Sequence, residues 1–297
     1  MPERRNAPFS PPRPFPPLPD LILEPIVKLA LTEDLGVAGD VTTDALIDPE
    51  ARGRWALRAR KAGVVAGLDA ASLAAWFVDP DILFEVRAQD GASIGAGETI
   101  MEIAGFARSM LTAERVMLNF IGRLSGVATL TRAYVDAVAG TNAVIASTRK
   151  TTPGLRALEK RAVKLGGGGS HRYSLADAIL IKDNHIAAAG GIGPVMERAR
   201  AAAGHLCMIE IEVDSLDQLE EALAYKPNVI LLDNFSLASL RAAVKLTEGA
   251  VALEASGNVS LDSVRAIAET GVDIISVGAL THSAPSLDIG LDALEVE

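Results

Sequence analysis

Arg149 and Lys150 stand side by side in "STRKTTPGLR" (147–156), directly after the apolar run "AVIAS". Two adjacent cations at the end of a strand-like run repel one another unless an anion lies between them. Further along, "GGGGSHRYSLADAILIKDNH" offers His171, Arg172 and Lys182, each next to a turn or another apolar run. Carboxylates follow at similar places: Glu210 and Glu212 in "MIEIEV", Asp233 in "VILLD", Glu254 in "VALEAS". Arginine grips planar carboxylates with two parallel hydrogen bonds, whereas lysine meets a phosphate as a point charge. Carboxylate oxygens on neighbouring strands suit Mg²⁺, which takes one or two of them and completes its shell with phosphate oxygens and water. A cationic and an anionic group in one place point to a substrate with several carboxylates or phosphates, used together with a divalent metal. "EASGN" (254–258) and "SVGALT" (276–281) add small residues that would let backbone N–H groups approach a phosphate.

A scaffold must bring these residues together. From about residue 143 short apolar runs alternate with amphipathic stretches such as "SLDQLEEALAY", "SLASLRAAVKLTEG" and "SLDSVRAIAETG". Each opens on Ser-Leu, a helix N-cap start. Gln218 is placed to complete a capping box with Ser215, and Gly249 and Gly271 stand where C-terminal caps belong. Strand–helix alternation predicts parallel strands joined by right-handed crossovers. An open doubly wound sheet lacks its usual signature, since no GxGxxG follows an early strand. Every charged candidate falls at or near the carboxyl end of a strand, and in a (β/α) barrel those ends converge on one mouth. Glu210 and Glu212 alternate with Ile209, Ile211 and Val213, so both carboxylates share a face of their strand. A barrel is the expected architecture. Earlier, residues 20–127 mix helix ("LILEPIVKLALTEDLG"), strands ("GRWALRARKAGVVAG", "ILFEVRAQDGASIGAGETIMEIAG") and a long helix "SMLTAERVMLNFIGRLSGVATLTRAYVDAV" that Gly126 is expected to interrupt. That grouping predicts a separate α+β domain.

Composition narrows the function classes. The 297 residues are 49% hydrophobic, enough for a core, and the net charge of −10 argues against a nucleic-acid or anionic-membrane binder. The lone cysteine, Cys207, excludes an internal disulfide and a cysteine zinc site, and its apolar neighbours predict a buried, inert thiol. No stretch approaches the length of a membrane span. Eight of fifteen prolines lie in the first twenty residues, which reads as an extended tail (1–19) without a secretion signal's apolar core. A cytoplasmic protein is expected.

Bland readings compete at each position. Glu212 and Asp233 could neutralise Lys182 and Arg172 in a structural network; the four glycines could be a plain flexible loop. His185, His205 and His282 read as ordinary loop or helix-end histidines. Lys182 in "ILIKDNH" could be a Schiff-base lysine of an aldolase-type barrel, although the nearby arginines speak for polyanion binding.

Longer runs carry a more specific signal. "ASTRKTTPGLR", "KLGGGGSHRYSLADAILIKDNHI", "IEIEVDSLDQLEEAL", "ILLDNFS", "LEASGNVSLDSVRAIAETGVDIISVGALTHSAPSLDIGL", "LALTEDLGVAGDVTTDAL" and "AERVMLNFIGRLSGVATLT" resemble the quinolinate phosphoribosyltransferase family, from about residue 20 to the C-terminus. The resemblance implies an α/β fold: an N-terminal α/β sandwich (20–127, rejoined by 285–297), then an incomplete (β/α) barrel (128–284). It implies phosphoribosyl transfer from phosphoribosyl pyrophosphate to quinolinate with decarboxylation, giving nicotinate mononucleotide, CO2 and pyrophosphate, with Mg²⁺. It also implies a homodimer whose active sites are shared between subunits. Carried over by motif, Thr148, Arg149, Lys150, His171, Arg172 and Lys182 would line the anion pocket. Glu212 and Asp233 would serve ribose hydroxyls and metal. Ser256, Gly257, Asn258, Val277, Gly278 and Ala279 would hold the 5′-phosphate, and Arg115 would reach into the partner's site. Lys150, Lys182, Glu212 and Asp233 are the expected catalytic residues. Some relatives carry a glycine where this chain has Asn258. The rival readings are a molybdenum-transport-associated paralogue of the same fold, a Schiff-base aldolase using Lys182, and a catalytically silent binding barrel.

Overall fold

The computed structural model describes residues 16–296; the expected tail before Pro16 lies outside the described residues. In chain order the elements are α1 (Asp20–Leu35), α2 (Val41–Leu46), β1 (Arg52–Ala59), β2 (Gly63–Val64), α3 (Leu68–Val78), β3 (Leu83–Val86), β4 (Ser93–Ile94), β5 (Thr99–Phe106) and α4 (Ala107–Ala137). Then come β6 (Val144–Ser147), α5 (Arg156–Leu165), β7 (Gly169–Ser170), β8 (Ile179–Ile181), α6 (Asp183–Ala189), α7 (Ile192–Ala202), β9 (Ile209–Val213) and α8 (Leu216–Ala224). The chain finishes with β10 (Val229–Asp233), α9 (Leu237–Thr247), β11 (Ala252–Ser256), α10 (Leu261–Ala268), β12 (Ile274–Ser276), α11 (Ala279–His282) and β13 (Ile289–Val296). Two compact units result. The first takes the described residues up to Leu130, Thr152–Gly166 and those from Ala284 on; the second takes Thr131–Thr151 and Gly167–Ser283.

The first unit is built on an antiparallel sheet in the order β13-β1-β5-β3, so the last strand of the chain pairs with the first. Trp55, Ala56, Leu57 and Ala59 of the central β1 are buried. In α1 the buried Leu23, Val27 and Leu31 recur every four residues, the stripe by which an amphipathic helix seats itself. The α3 run "LDAASLAAWFV" buries Leu68, Ala70, Ala71, Leu73, Ala74 and Ala75, spread around the helix, so it carries little periodic signal. Gly126 does not interrupt α4, which continues to Ala137. A side chain there would run into the Pro285 carbonyl, so the glycine serves close packing instead of ending the helix.

The second unit is a curled, wholly parallel sheet in the order β7-β6-β12-β11-β10-β9-β8. The edge strands β7 and β8 are not paired with each other, which leaves an incomplete barrel. Ile209, Ile211 and Val213 are buried on one face of β9, and Glu210 and Glu212 occupy the other. Ser215 and Ser236 accept hydrogen bonds from the N–H groups of Gln218 and Ser239, capping α8 and α9. The Gln218 side chain accepts from the Asp214 N–H, one residue before the cap, so the expected box with Ser215 is only half formed. Glu248, at φ 47°, is the left-handed residue that ends α9; Gly249 follows it at φ 76°. Cys207 precedes β9 and is partly exposed, because the strand starts two residues later than its apolar neighbours suggest. Among the described residues no helix is long and apolar enough to cross a membrane.

Candidate active site

The carboxyl ends of the second unit's strands carry almost every residue singled out above. After β6, the Thr148 hydroxyl accepts the Lys150 N–H at 3.0 Å, a tight turn that aims consecutive side chains apart. The Lys150 carbonyl accepts from the buried Thr281 hydroxyl at 2.7 Å, which fixes that backbone against α11. A Cβ at Gly278 would stand 3.1 Å from Lys150 Cδ, so a glycine there makes room for the lysine stem.

The tetraglycine run is more than a loop. Gly169 and Ser170 pair with Ala146 and Ser147 of β6, and a Cβ at Gly169 would press on Val144 at 3.2 Å. The strand delivers His171 to Glu210, whose Oε2 lies 2.7 Å from His171 Nε2. His171 Nδ1 accepts the Arg172 N–H at 2.8 Å, which leaves Nε2 facing the Glu210 carboxylate. These two contacts hold the imidazole in one fixed orientation. Asp177 ties down the following loop by accepting from the N–H groups of Tyr173 and Ser174 at 2.6 and 3.0 Å and from the Ser174 hydroxyl. Arg172 Nη1 donates to the Ala178 carbonyl at 3.1 Å, while its buried Nε has no hydrogen-bond partner. Burial first, and then the charge of Arg149, draw the Arg172 guanidinium below its usual pKa. An anion between the two arginines would relieve both effects.

Two carboxylates sit beneath. Glu210 and Glu254 are 8% and 3% exposed, and one oxygen of each, Oε1, makes no hydrogen bond. Ligand atoms of His171, Glu210 and Glu254 all lie within 4.8 Å of one another. Burial and the neighbouring Glu210 charge push Glu254 up from 4.5 to about 7, against the opposing pull of His171 and a hydrogen bond to Ser276. Lys182 pairs with Glu212 through a short Nζ–Oε2 contact; the lysine is largely exposed and the carboxylate half-buried. Asp233 ends β10 in register with Ser256, which ends β11, and Gly257 and Asn258 follow in left-handed backbone. Val277, Gly278 and Ala279 run from β12 into α11.

The geometry thus brings Lys182 and Glu212 into contact and places Arg149 close enough to Arg172 to repel it. Arg115 is exposed on α4, which belongs to the first unit. His185 accepts the Lys182 N–H at 3.0 Å, the helix-end role its sequence context predicts. Glu210, Ser276 and Thr281 support the site without having been placed in it by motif. Glu210 had a visible signal, its two-residue spacing from Glu212, whereas Ser276 and Thr281 stood out only as the ends of "SVGALT". Glu212 and Asp233 offer oxygens at the ends of adjacent strands, a donor set that fits Mg²⁺.

Residues 40–125 match the N-terminal domain model, and 127–292 the C-terminal domain model, of quinolinate phosphoribosyl transferase. The chain is 46% identical over 276 residues to the nicotinate-nucleotide pyrophosphorylase [carboxylating] of Mycobacterium leprae, covering 90% of this chain and 95% of that protein. It is 42% identical over 272 residues to the probable enzyme of that name from Bacillus subtilis, covering 92% and 93%. The solved nicotinate-nucleotide pyrophosphorylase of Ehrlichia chaffeensis superposes with a TM-score of 0.88 at 42% identity, over 91% of this chain and 98% of that one. The Francisella tularensis structure gives 0.90 at 39%, over 93% and 98%. With both domain models matched in order along nearly its whole described length, the chain belongs to the quinolinate phosphoribosyl transferase family.

Proposed function

We infer that this chain transfers the phosphoribosyl group of phosphoribosyl pyrophosphate to quinolinate and decarboxylates the product, giving nicotinate mononucleotide, CO2 and pyrophosphate in NAD biosynthesis. The observation that carries the reading is the meeting of Arg149, Arg172 and His171 at adjacent strand ends, with a buried Arg172 Nε left unsatisfied. Two carboxylates on one ring would occupy that cationic cluster. Thr148, Lys150 and Lys182 extend it toward the pyrophosphate. Glu212 and Asp233 would hold ribose hydroxyls and Mg²⁺, and the backbone of Ser256–Asn258 and Val277–Ala279 would receive the 5′-phosphate.

The ring nitrogen attacks the anomeric carbon as the bond to pyrophosphate breaks, and the pyrophosphate leaves with its electron pair. Bound Mg²⁺ would supply electrostatic stabilisation of the departing oxygens. Lys150 and Lys182 act on the same charge; donors of this kind are worth about 2.7–4 kcal/mol each in other enzymes. The nitrogen becomes cationic. The adjacent carboxylate then departs as CO2, its electron pair remains on the ring carbon beside that cation, and a proton fills the position. The substrate is its own electron sink, so the protein's main task is positioning.

The reading includes a homodimer in which Arg115 enters the partner's site, and a cytoplasmic location. Mixing an Arg115→Ala chain with a Lys150→Ala chain should restore partial activity through hybrid dimers; inactive verified hybrids would count against sharing. The deciding assay is incubation with carboxyl-labelled quinolinate, phosphoribosyl pyrophosphate and Mg²⁺. Nicotinate mononucleotide and labelled CO2 should form in equal amounts. Absence of both removes this reading in favour of the molybdenum-transport-associated paralogue or a silent barrel, and borohydride trapping of a carbonyl substrate on Lys182 would instead favour an aldolase.

A further inference from the structure

The ends of β10 and β11 are joined by a chain of amides that the chemistry above does not use. Asn234 follows Asp233 in left-handed backbone, at φ 55°, and its N–H donates to the Ser256 carbonyl at 2.9 Å. Its side-chain Nδ2 donates to Asp233 Oδ2 at 2.7 Å. A carboxylate only accepts, so this contact fixes which way the amide faces. Asn234 Oδ1 is thereby turned to the neighbouring strand end, where it accepts from Asn258 Nδ2 at 3.2 Å. Asn258 is also left-handed, at φ 49°. Between them Gly257, at φ 99°, passes directly over the link. A Cβ at that position would lie 2.6 Å from Asn234 Cγ and 3.0 Å from its backbone nitrogen.

Two exposed asparagines in left-handed backbone have an ordinary explanation, because asparagine tolerates that conformation better than other side chains. Glycine, however, tolerates it at no steric cost. What asparagine adds over glycine is the amide, and here both amides are engaged with each other and with Asp233.

We propose that Asn234 is a positioning residue: its amide, anchored by Asp233 on one side and Asn258 on the other, sets the carboxylate that faces the ribose in register with the turn that receives the 5′-phosphate. The inference rests on the reading of this rim as the phosphoribosyl pyrophosphate subsite. Without the link Asp233 can rotate and the Ser256–Asn258 turn can relax independently, so the sugar phosphate loses a preorganised pair of contacts. The cations after β6, β7 and β8 are not part of the chain and keep their geometry.

Substitution by glycine separates the two explanations, since it preserves the left-handed backbone and removes only the amide. In the full-length protein, Asn234→Gly should raise KM for phosphoribosyl pyrophosphate about tenfold while KM for quinolinate stays within about twofold. Asn258→Gly should produce a smaller rise in the same constant. The double variant should be no worse than Asn234→Gly alone, because both changes break one link. Unchanged KM for phosphoribosyl pyrophosphate in Asn234→Gly, or effects that multiply in the double variant, would overturn the proposal. If Asn234→Gly does not fold, Asn258→Gly alone decides, and an unchanged KM there is equally fatal. Calorimetric titration of the wild-type chain with Mg²⁺ and phosphoribosyl pyrophosphate separates the levels of failure. No binding removes both the subsite and the link; normal binding with a silent Asn234→Gly removes only the link.

Discussion

Glu159 in the first unit and Glu254 in the second are both buried carboxylates, at 0% and 3% exposure, yet their surroundings are opposite. Glu159 Oε1 accepts two hydrogen bonds from Arg123, at 3.2 and 2.7 Å, and one from the Thr152 hydroxyl at 2.7 Å; its Oε2 takes the Thr152 N–H at 3.0 Å. Its charge is fully answered within the fold, and it pins the Thr-Thr-Pro-Gly turn in place. Glu254 has a serine, a second carboxylate and a histidine nearby, and its Oε1 remains without a hydrogen bond. Buried charge is tolerated only when compensated. The first arrangement is compensated by the protein itself. The second waits on protons and on whatever occupies the cationic rim, which distinguishes a structural ion from a site that exists for a ligand.

The contrast can be broken from either side. Glu159→Ala should have the largest effect, about 3–5 kcal/mol of stability, because it strands the Arg123 charge. A melting temperature lower by roughly 10 °C would report it, and an unchanged one would deny that the pair is structural. Arg172→Ala should leave melting nearly unaltered and lower kcat/KM for quinolinate by about 100-fold. Wild-type constants in that variant would dissolve the clamp. Asp233→Ala should weaken use of Mg²⁺ with phosphoribosyl pyrophosphate by about tenfold, and full activity would remove Asp233 from the site.

The smallest effect concerns Glu254. Its folded pKa of about 7 lies above the ordinary 4.5, so the folded protein holds a proton that the unfolded chain has lost. The resulting stability is complete below pH 4.5 and disappears as pH rises through about 7. Glu254→Gln lacks this dependence. The melting temperature of wild type relative to the variant should therefore fall by a few degrees between those limits. A pH-independent difference would mean that Glu254 titrates normally.

How much of this was legible in the sequence depends on how local the physics is. The short apolar runs after residue 143 and the three Ser-Leu helix starts report backbone preferences within a few residues, and they identify β6, β8–β12, α8, α9 and α10 correctly. The charged residues at their ends follow from that alone. The α3 helix was silent because alanine and leucine surround it on all sides. Gly126 misled because its reason, the Pro285 carbonyl, comes from 159 residues further along the chain. Likewise nothing local announces that Thr152 answers Glu159, that Glu254 meets His171, or that Asn234 faces Asn258. Those pairings exist only once the sheet has curled.

Quinolinate binding compared with that of nicotinate tests the central claim most directly, because nicotinate lacks the second carboxylate. In calorimetric titrations the wild-type protein should prefer quinolinate by about 100-fold or more, and Arg172→Ala should bind the two almost equally. Equal affinities in the wild type, or a preference that survives the loss of Arg172, would contradict the account.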